Sequence, residues 1–377
     1  MTVIAEGRTA GAVRTAERVL SARAGSPVVL DDPVDLAGSG RTDVVRVRVA
    51  QNPLSPDRSL VIKVLPADEP ADAFARELAS YKYATALPMR SRPGPQLIAS
   101  DSAERLIVLS DLGHGRSMSA LLASTDWADP SHAISAWGQA LGRMHAATVG
   151  SEDDFAALLR HGPARGDVEA LTAQVQVAVS RAPEVLGEHL GVEVSTGFVE
   201  LLARAQLLFA EGEHRAFSPS DVGPPNILIN DDGVQFMDYE WGGFRDATLD
   251  IGYAVVTFGA ELAPRWADRR ADLETAMVDA WRSEIQAIWP ALSHDGELNR
   301  KVLTARALWV WLATVWMLPV ELGDDRHARG LALRTSDPAV VVARWTDLAA
   351  AARRTGDQDI AADADAIGAA LDAAWLR

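Results

Sequence analysis

FSPSDVGPPNILINDDGVQFMDYE, residues 217–240, sets two aspartates and an asparagine around a short β feature. Ile227–Asn230 and Val234–Asp238 flank Asp231-Asp232-Gly233, and Asp-Gly between apolar residues is a strong hairpin signal. With Asp232-Gly233 as a two-residue turn, Asn230 faces Gln235, Leu228 faces Met237 and Ile227 faces Asp238, so Asn226 comes beside Asp238. A carbonyl oxygen and a carboxylate at the open end of a hairpin suit a hard cation such as Mg2+, which one or two carboxylates hold together with phosphate oxygens. Asp221, five residues before Asn226, stands on the loop entering the hairpin, where it can reach a substrate without ligating the metal. Asp and Asn also gather at turns for backbone reasons alone. The rest of the chain has to decide between the two readings.

Upstream, residues 9–23 show helical periodicity, Val44–Val49 alternates with period two, and Leu60–Leu65 is a short apolar run; the last two read as strands. A helix follows over Asp72–Thr85, with Phe74, Leu78 and Tyr81 along one face. Pro93-Gly94-Pro95 breaks the chain before two further strands, Gln96–Ala99 and Leu106–Leu109. Ser110–Gly115 reads as a linker, and from Ser119 onward three- and four-residue spacing dominates, interrupted by the 227–238 hairpin and ending in an alanine-rich tail, Asp347–Arg377. The expected fold is α+β, with a small β-rich lobe over residues 1–109, a hinge over 110–115 and a large, mostly helical lobe over 116–377.

Lys63 interrupts an apolar strand in a chain that uses lysine only at positions 63, 82 and 301. Such a lysine needs a partner unless it lies on an edge strand and snorkels to water. Glu77, three residues after Phe74 and four before Tyr81, lies near the apolar face of the next helix and can supply one. A buried Lys–Glu pair is a costly way to stabilise a fold, so holding polyphosphate explains it better. Before the first alternating strand, Gly38-Ser39-Gly40 offers backbone N–H groups that phosphate oxygens can approach closely. Gly-x-Gly also occurs in ordinary turns, and no Gly-Lys-Ser/Thr follows to make it a Walker A loop.

Composition narrows the class. At 377 residues and 48% apolar content the chain can bury a sizeable core. Having no cysteine, it forms no disulfide, uses no thiolate and holds no Cys-ligated zinc. The N-terminus lacks the pattern of a secretory signal, and the longest apolar run, Ala307–Val320, is short for a bilayer span, so a cytoplasmic protein without a membrane partner is expected. The net charge of −16 is uneven: residues 1–110 carry +1 and residues 111–377 carry −17. That field disfavours nucleic acid and attracts a cationic small molecule, although solvated acidic helix faces give the same excess.

Taken in order, a Gly-rich loop, a strand lysine, a helix glutamate, a linker, Asp-x4-Asn and a hairpin aspartate resemble protein-kinase-like enzymes. The local wording is similar to the aminoglycoside phosphotransferase and choline kinase superfamily. Residues 106–122 (LIVLSDLGHGRSMSALL) resemble its hinge, 141–148 (LGRMHAAT) its helix ending in His, and 237–254 (MDYEWGGFRDATLDIGYA) its metal-binding segment. The resemblance implies a bilobal fold with Gly38, Ser39, Gly40, Lys63, Glu77, Ser110 and Leu112 at an ATP or GTP molecule, Lys63 on its phosphates and Glu77 paired to Lys63. It further implies Asp221 as catalytic base, Asn226 and Asp238 on Mg2+, and Asp250 as a structural brace of the catalytic loop. Glu240 is the candidate for the acceptor side. The family carries His two residues before the catalytic Asp, whereas this chain has Pro219; the Pro-Ser-Asp form looks like a divergent branch, in which Pro219, Pro224 and Pro225 restrict the loop.

The leading expectation is therefore a kinase that transfers a γ-phosphoryl group to a hydroxyl of an antibiotic, amino alcohol, sugar or biosynthetic intermediate. The competing one is a non-catalytic nucleotide-binding module that uses the same fold for interaction. A protein kinase fits less well, because no Asp-Phe-Gly or Ala-Pro-Glu follows the hairpin. His145 reads as a satisfied core histidine, and Trp309, Trp311 and Trp316 as helix packing.

Overall fold

In the computed structural model, residues 3–36, 42–51, 58–66, 69–160, 170–320, 322 and 331–376 are described. Gly38, Ser39 and Gly40 lie outside the described residues. The chain divides into two compact units, one of Met1–Gly115, Asp153–Arg165 and Asn230–Gly242, the other of Arg116–Glu152, Gly166–Ile229 and Gly243–Arg377.

The first unit opens with helix α1 (Val3–Ala24), followed by β1 (Val29–Asp35), β2 (Asp43–Gln51), β3 (Ser59–Val64), α2 (Ala71–Ala86), β4 (Leu97–Asp101) and β5 (Leu106–Ser110). The strands form one antiparallel sheet in the order β1-β2-β3-β5-β4. β1 was not expected, because Asp31-Asp32-Pro33 breaks its pattern; it sits at the sheet edge, where a proline without an N–H is tolerated. Strand alternation sorts β3 between two faces. Leu60 and Ile62 join Ala12, Ala16, Leu20, Val45, Val47 and Val108 in a core under α1. Lys63, one step out of phase, belongs to the other face, in register with Val44 of β2 and Ile107 of β5. With β3 in the middle of the sheet, Lys63 is no edge lysine.

The second unit contributes β6 (Arg116–Ser117), α3 (Met118–Leu122) and α4 (Ala128–Thr148); α5 (Glu152–Arg160) runs into the first unit. The second unit then continues with α6 (Ala170–Ser180), α7 (Ala182–Leu190), α8 (Thr196–Leu207), β7 (Arg215–Ser218) and β8 (Ile227–Asn230). After β9 (Gly233–Phe236) come β10 (Gly243–Asp246), α9 (Thr248–Thr257), α10 (Arg270–Ile285), α11 (Asp295–Val315), α12 (Pro338–Thr355) and α13 (Gln358–Trp375). The alanine-rich tail is thus two helices, parted at Gly356 with φ +84°. Trp309 and Trp311 are fully buried on α11 and donate to the carbonyls of Leu249 and Ala178.

Two local features differ from expectation. The turn after β8 is Asp231-Asp232, one residue earlier than Asp232-Gly233, and Gly233 opens β9 with φ +98°. The Asn230 side chain accepts the Asp232 N–H at 2.9 Å, so an Asx turn over Asp231-Asp232, followed by the left-handed Gly233, closes the hairpin. The second difference is a buried antiparallel pair, β7 with β10, pairing Ser218 with Gly243 and Arg215 with Asp246. Four-residue strands without alternating polarity leave no periodic trace.

Asp246 closes that pair and carries a testable electrostatic load. It accepts the His214 and Thr248 backbone N–H groups and the Thr248 hydroxyl. Burial pushes its pKa up, but hydrogen bonds from His214 and Thr248 outweigh this and hold it at about 2. A depressed carboxylate pKa stabilises the fold above the unfolded value near 3.8, and the contribution fades as pH falls towards 2. Asp246→Asn is therefore expected to cost about 2 kcal/mol at neutral pH, a gap that closes in urea titrations run near pH 2. A gap independent of pH would contradict this.

Candidate active site

In the first unit, the sheet face that carries Lys63 receives α2. Lys63 Nζ lies 2.5 Å from Glu77 Oε1 and 2.6 Å from Asp238 Oδ1. Lys63 is 6% exposed and Glu77 fully buried, whereas the Asp238 side chain keeps 30% exposure. Burial works against the ammonium, yet the carboxylates of Asp238 and Glu77 outweigh it and hold the Lys63 pKa well above its usual value. Lys63 is therefore charged at neutral pH.

Asp238 reaches this place through an unusual backbone, with φ +62°, in the left-handed region that aspartate tolerates better than most residues. The segment around it is pinned to the same unit. Tyr239 stacks on Tyr81 of α2 with centroids 5.0 Å apart, its hydroxyl donates to the Pro93 carbonyl, and the Phe236 N–H donates to the same carbonyl at 2.9 Å. Glu240 accepts the Trp241 indole N–H at 2.9 Å. Ser110 and Leu112 belong to this unit too: the Ser110 hydroxyl accepts the Gln96 N–H, and the Leu112 carbonyl accepts from Asn230 Nδ2.

In the second unit, β7 runs into Pro219-Ser220-Asp221. Ser220 has φ +74°, and Arg245 of β10 donates to its hydroxyl. The Ser218 hydroxyl accepts the Ser220 N–H at 2.9 Å and donates to Asp250 Oδ1 at 2.6 Å. Asp250 Oδ2 lies 3.1 Å from His145 Nε2, while His145 Nδ1 accepts the Trp281 indole N–H at 2.9 Å. Since an indole nitrogen only donates, Nδ1 carries no proton and Nε2 donates to Asp250. His145 is the satisfied core histidine expected, and Asp250 ties it to the loop that carries Asp221. Pairing of β7 with β10 places these groups together, because one strand leads to Asp221 and the other to Asp250.

Asp221 is 3% exposed. Asn226 Nδ2 donates to Asp221 Oδ2 at 2.8 Å and also reaches the Asp221 carbonyl oxygen at 3.2 Å. This orientation sends the amide nitrogen of Asn226 to Asp221. Lys63, Glu77, Asp238 and Glu240 thus gather in one unit, and Asp221, Asn226 and Asp250 in the other. Among the described residues no group of three or more His, Asp or Glu side chains is arranged to hold a metal. In the first unit Asp238 keeps solvent-facing carboxylate surface, and in the second Asn226 turns its amide nitrogen to Asp221; a carboxylate and an amide carbonyl are each the kind of oxygen that Mg2+ takes.

Ser218, Ser220, Arg245 and Tyr253 escaped the reading of the sequence. Tyr253 had a signal: tyrosine occurs only four times in the chain, and this one lies three residues after Asp250 on a helix. Its hydroxyl donates to Asp221 Oδ1 at 2.5 Å.

No curated protein matches the chain by sequence. Among solved structures, a choline/ethanolamine kinase family protein from Mesorhizobium loti is 14% identical with a TM-score of 0.50, over 89% of this chain and 92% of that one. Choline kinase from Cryptosporidium parvum Iowa II is 11% identical with a TM-score of 0.49, over 87% and 91%. An aminoglycoside-3'-phosphotransferase of type VIII is 18% identical with a TM-score of 0.45, over 80% and 97%. At 14% identity the first likeness speaks for the fold, which is the α+β, protein-kinase-like one expected. Residues 37–284, about two thirds of the sequence, match the model of the phosphotransferase enzyme family. The chain belongs to that family, and is a phosphotransferase of the class that takes an alcohol group as acceptor.

Proposed function

We propose that the protein transfers the γ-phosphoryl group of ATP or GTP to a hydroxyl of a small molecule, with Mg2+. The observation that carries this reading is the buried Lys63 ammonium held by Glu77 and Asp238. Two carboxylates on one buried lysine are a poor stabilising device but a good way to aim a charge at phosphate. In this reading residues 1–109 hold the nucleotide, 110–115 form the hinge with Ser110 and Leu112 at the base, and 116–377 carry the acceptor. Gly38, Ser39 and Gly40 approach the phosphates, and Lys63, oriented by Glu77, binds the α- and β-phosphates. Asn226 and Asp238 hold Mg2+, which when bound neutralises charge on the transferring phosphoryl group. Asp221 orients the acceptor hydroxyl and takes its proton, while Asp250 braces the loop.

For the acceptor, the −17 charge of residues 111–377 and the carboxylate of Glu240 favour a cation, such as an amino alcohol or an aminoglycoside-like amino sugar. Phosphorylation tests across aminoglycosides, other antibiotics, amino sugars and choline-like alcohols identify it. For a cationic acceptor, KM is expected to rise with ionic strength while that of a neutral one stays flat. An acceptor whose KM ignores salt would remove the cationic preference.

A further inference from the structure

The carboxylate of Asp221 is covered by the protein itself. Tyr253 donates to Oδ1 at 2.5 Å and Asn226 to Oδ2 at 2.8 Å. The Ala332 N–H is shared between the two oxygens, at 3.1 Å from Oδ1 and 3.0 Å from Oδ2. The Leu333 N–H donates to the Tyr253 hydroxyl at 2.9 Å, and the Leu333 carbonyl accepts from Arg344 at 2.7 Å. Leu331 and Leu333 are buried and Ala332 is half-buried, so residues 331–333 form a strap across Asp221. Gly223 leaves room for the strap, since a Cβ there would come within 2.6 Å of the Ala332 Cβ.

A base must offer a lone pair within hydrogen-bond reach of the proton it takes. At 3% exposure Asp221 offers one to an incoming hydroxyl only if a present donor gives way. The donors differ in how firmly they are held. Tyr253 has no exposed surface, and its ring packs edge-on against Trp309 at 5.0 Å. Its oxygen accepts from Leu333, so its single hydrogen is directed at Asp221. Burial first, and the Asp221 carboxylate second, keep the Tyr253 pKa well above its usual value, so it stays a donor. Asn226 is held to Asp221 by two contacts. The Ala332 amide divides one hydrogen between two acceptors, the weakest geometry of the three.

Resting on the reading of Asp221 as the base, we propose that Tyr253 is a positioning residue for the transfer. It pins Oδ1 and leaves Oδ2 to take the acceptor proton, while the acceptor hydroxyl enters by replacing the Ala332 amide. In that step the acceptor O–H bond breaks and the proton passes to Oδ2. The acceptor oxygen bonds to the γ-phosphorus of the nucleoside triphosphate, and the bond to the bridging oxygen breaks with its electron pair leaving on the diphosphate. Without Tyr253 the carboxylate turns, and a misplaced base loses rate rather than nucleotide affinity.

Hydrolysis of ATP or GTP with Mg2+, water serving as acceptor, tests this without knowledge of the natural acceptor. Tyr253→Phe keeps the ring and is expected to lower turnover about 10- to 100-fold, with the Kd for a nonhydrolysable triphosphate unchanged within about twofold. Ala332→Pro, which has no amide hydrogen, is expected to raise turnover about fivefold, the worth of one net hydrogen bond. Gly223→Ala, whose Cβ presses on Ala332, should move it the same way. Wild-type turnover in Tyr253→Phe, a parallel fall in turnover and nucleotide affinity, or failure of that variant to fold would each overturn the positioning role. A fall in both Ala332→Pro and Gly223→Ala would overturn entry through the strap. Asp221→Asn separates the two levels: if it hydrolyses normally, Asp221 is not the base and the proposed function loses its centre. If it is inactive while Tyr253→Phe is fully active, only the positioning role falls.

Discussion

Asp221→Asn is expected to abolish phosphoryl transfer while leaving Mg2+-nucleotide affinity within about twofold of wild type, whereas Asp238→Asn loses both. The surroundings of the two carboxylates supply the reason. Asp221 is buried among Tyr253, Asn226 and Ala332, and neutralising it removes a proton acceptor without disturbing a lysine. Loss of a general base costs roughly 100- to 10,000-fold in rate. Asp238 holds the Lys63 ammonium at 2.6 Å and presents exposed carboxylate surface. Its amide would supply neither the charge that orients Lys63 nor the charge that attracts a divalent cation. Affinity should fall by at least about 10- to 100-fold, the cost usual for disturbing even an outer partner of a metal site. Calorimetric titration of both variants with a nonhydrolysable nucleotide, with and without Mg2+, measures the difference. Equal losses of metal-dependent affinity would erase the distinction, and normal turnover in Asp221→Asn would favour a nucleotide-binding interaction module.

The second large effect is expected at Lys63. Lys63→Ala should cut turnover roughly 100- to 1,000-fold, the scale for removing a preorganised charge from a transition state. It should also destabilise the first unit. With the ammonium gone, Glu77, fully buried, loses its counter-charge, and breaking a buried pair in this way costs about 3–5 kcal/mol. Lys63→Ala combined with Glu77→Gln should recover much of that stability and none of the turnover. Denaturant titration and nucleotide kinetics on the single and double variants separate the two losses. Turnover restored in the double variant would show that Lys63 acts only through the fold.

The parts of the site legible in the sequence are those with a local pattern. Lys63 was visible because a charge in an apolar strand is anomalous, and Glu77 because helical spacing put it by an apolar face. Asp221, Asn226 and Asp238 were visible through proximity to a turn, even though that turn lies one residue earlier than counted. The β7–β10 pair left no trace, since four-residue buried strands have no period to detect. Pro219, where the resembled family carries histidine, was legible as a difference. The groups that shape the loop around it were not: Ser218 on Asp250, Arg245 on Ser220 and Tyr253 on Asp221.

By itself, then, the sequence determined the strands β2 to β5, the helical remainder and the identity of the charged residues, because each rests on periodicity or on a residue out of place, and its resemblance to a known superfamily implied the α+β, kinase-like class. Tertiary structure alone decided that Lys63, besides its partner Glu77, also holds Asp238, 175 positions away. It alone brought Ala332, 111 positions from Asp221, onto that carboxylate. Hydrogen bonds at such separations depend on how strands pair and helices pack, and a backbone N–H, which every residue but proline has, leaves no mark in composition or spacing.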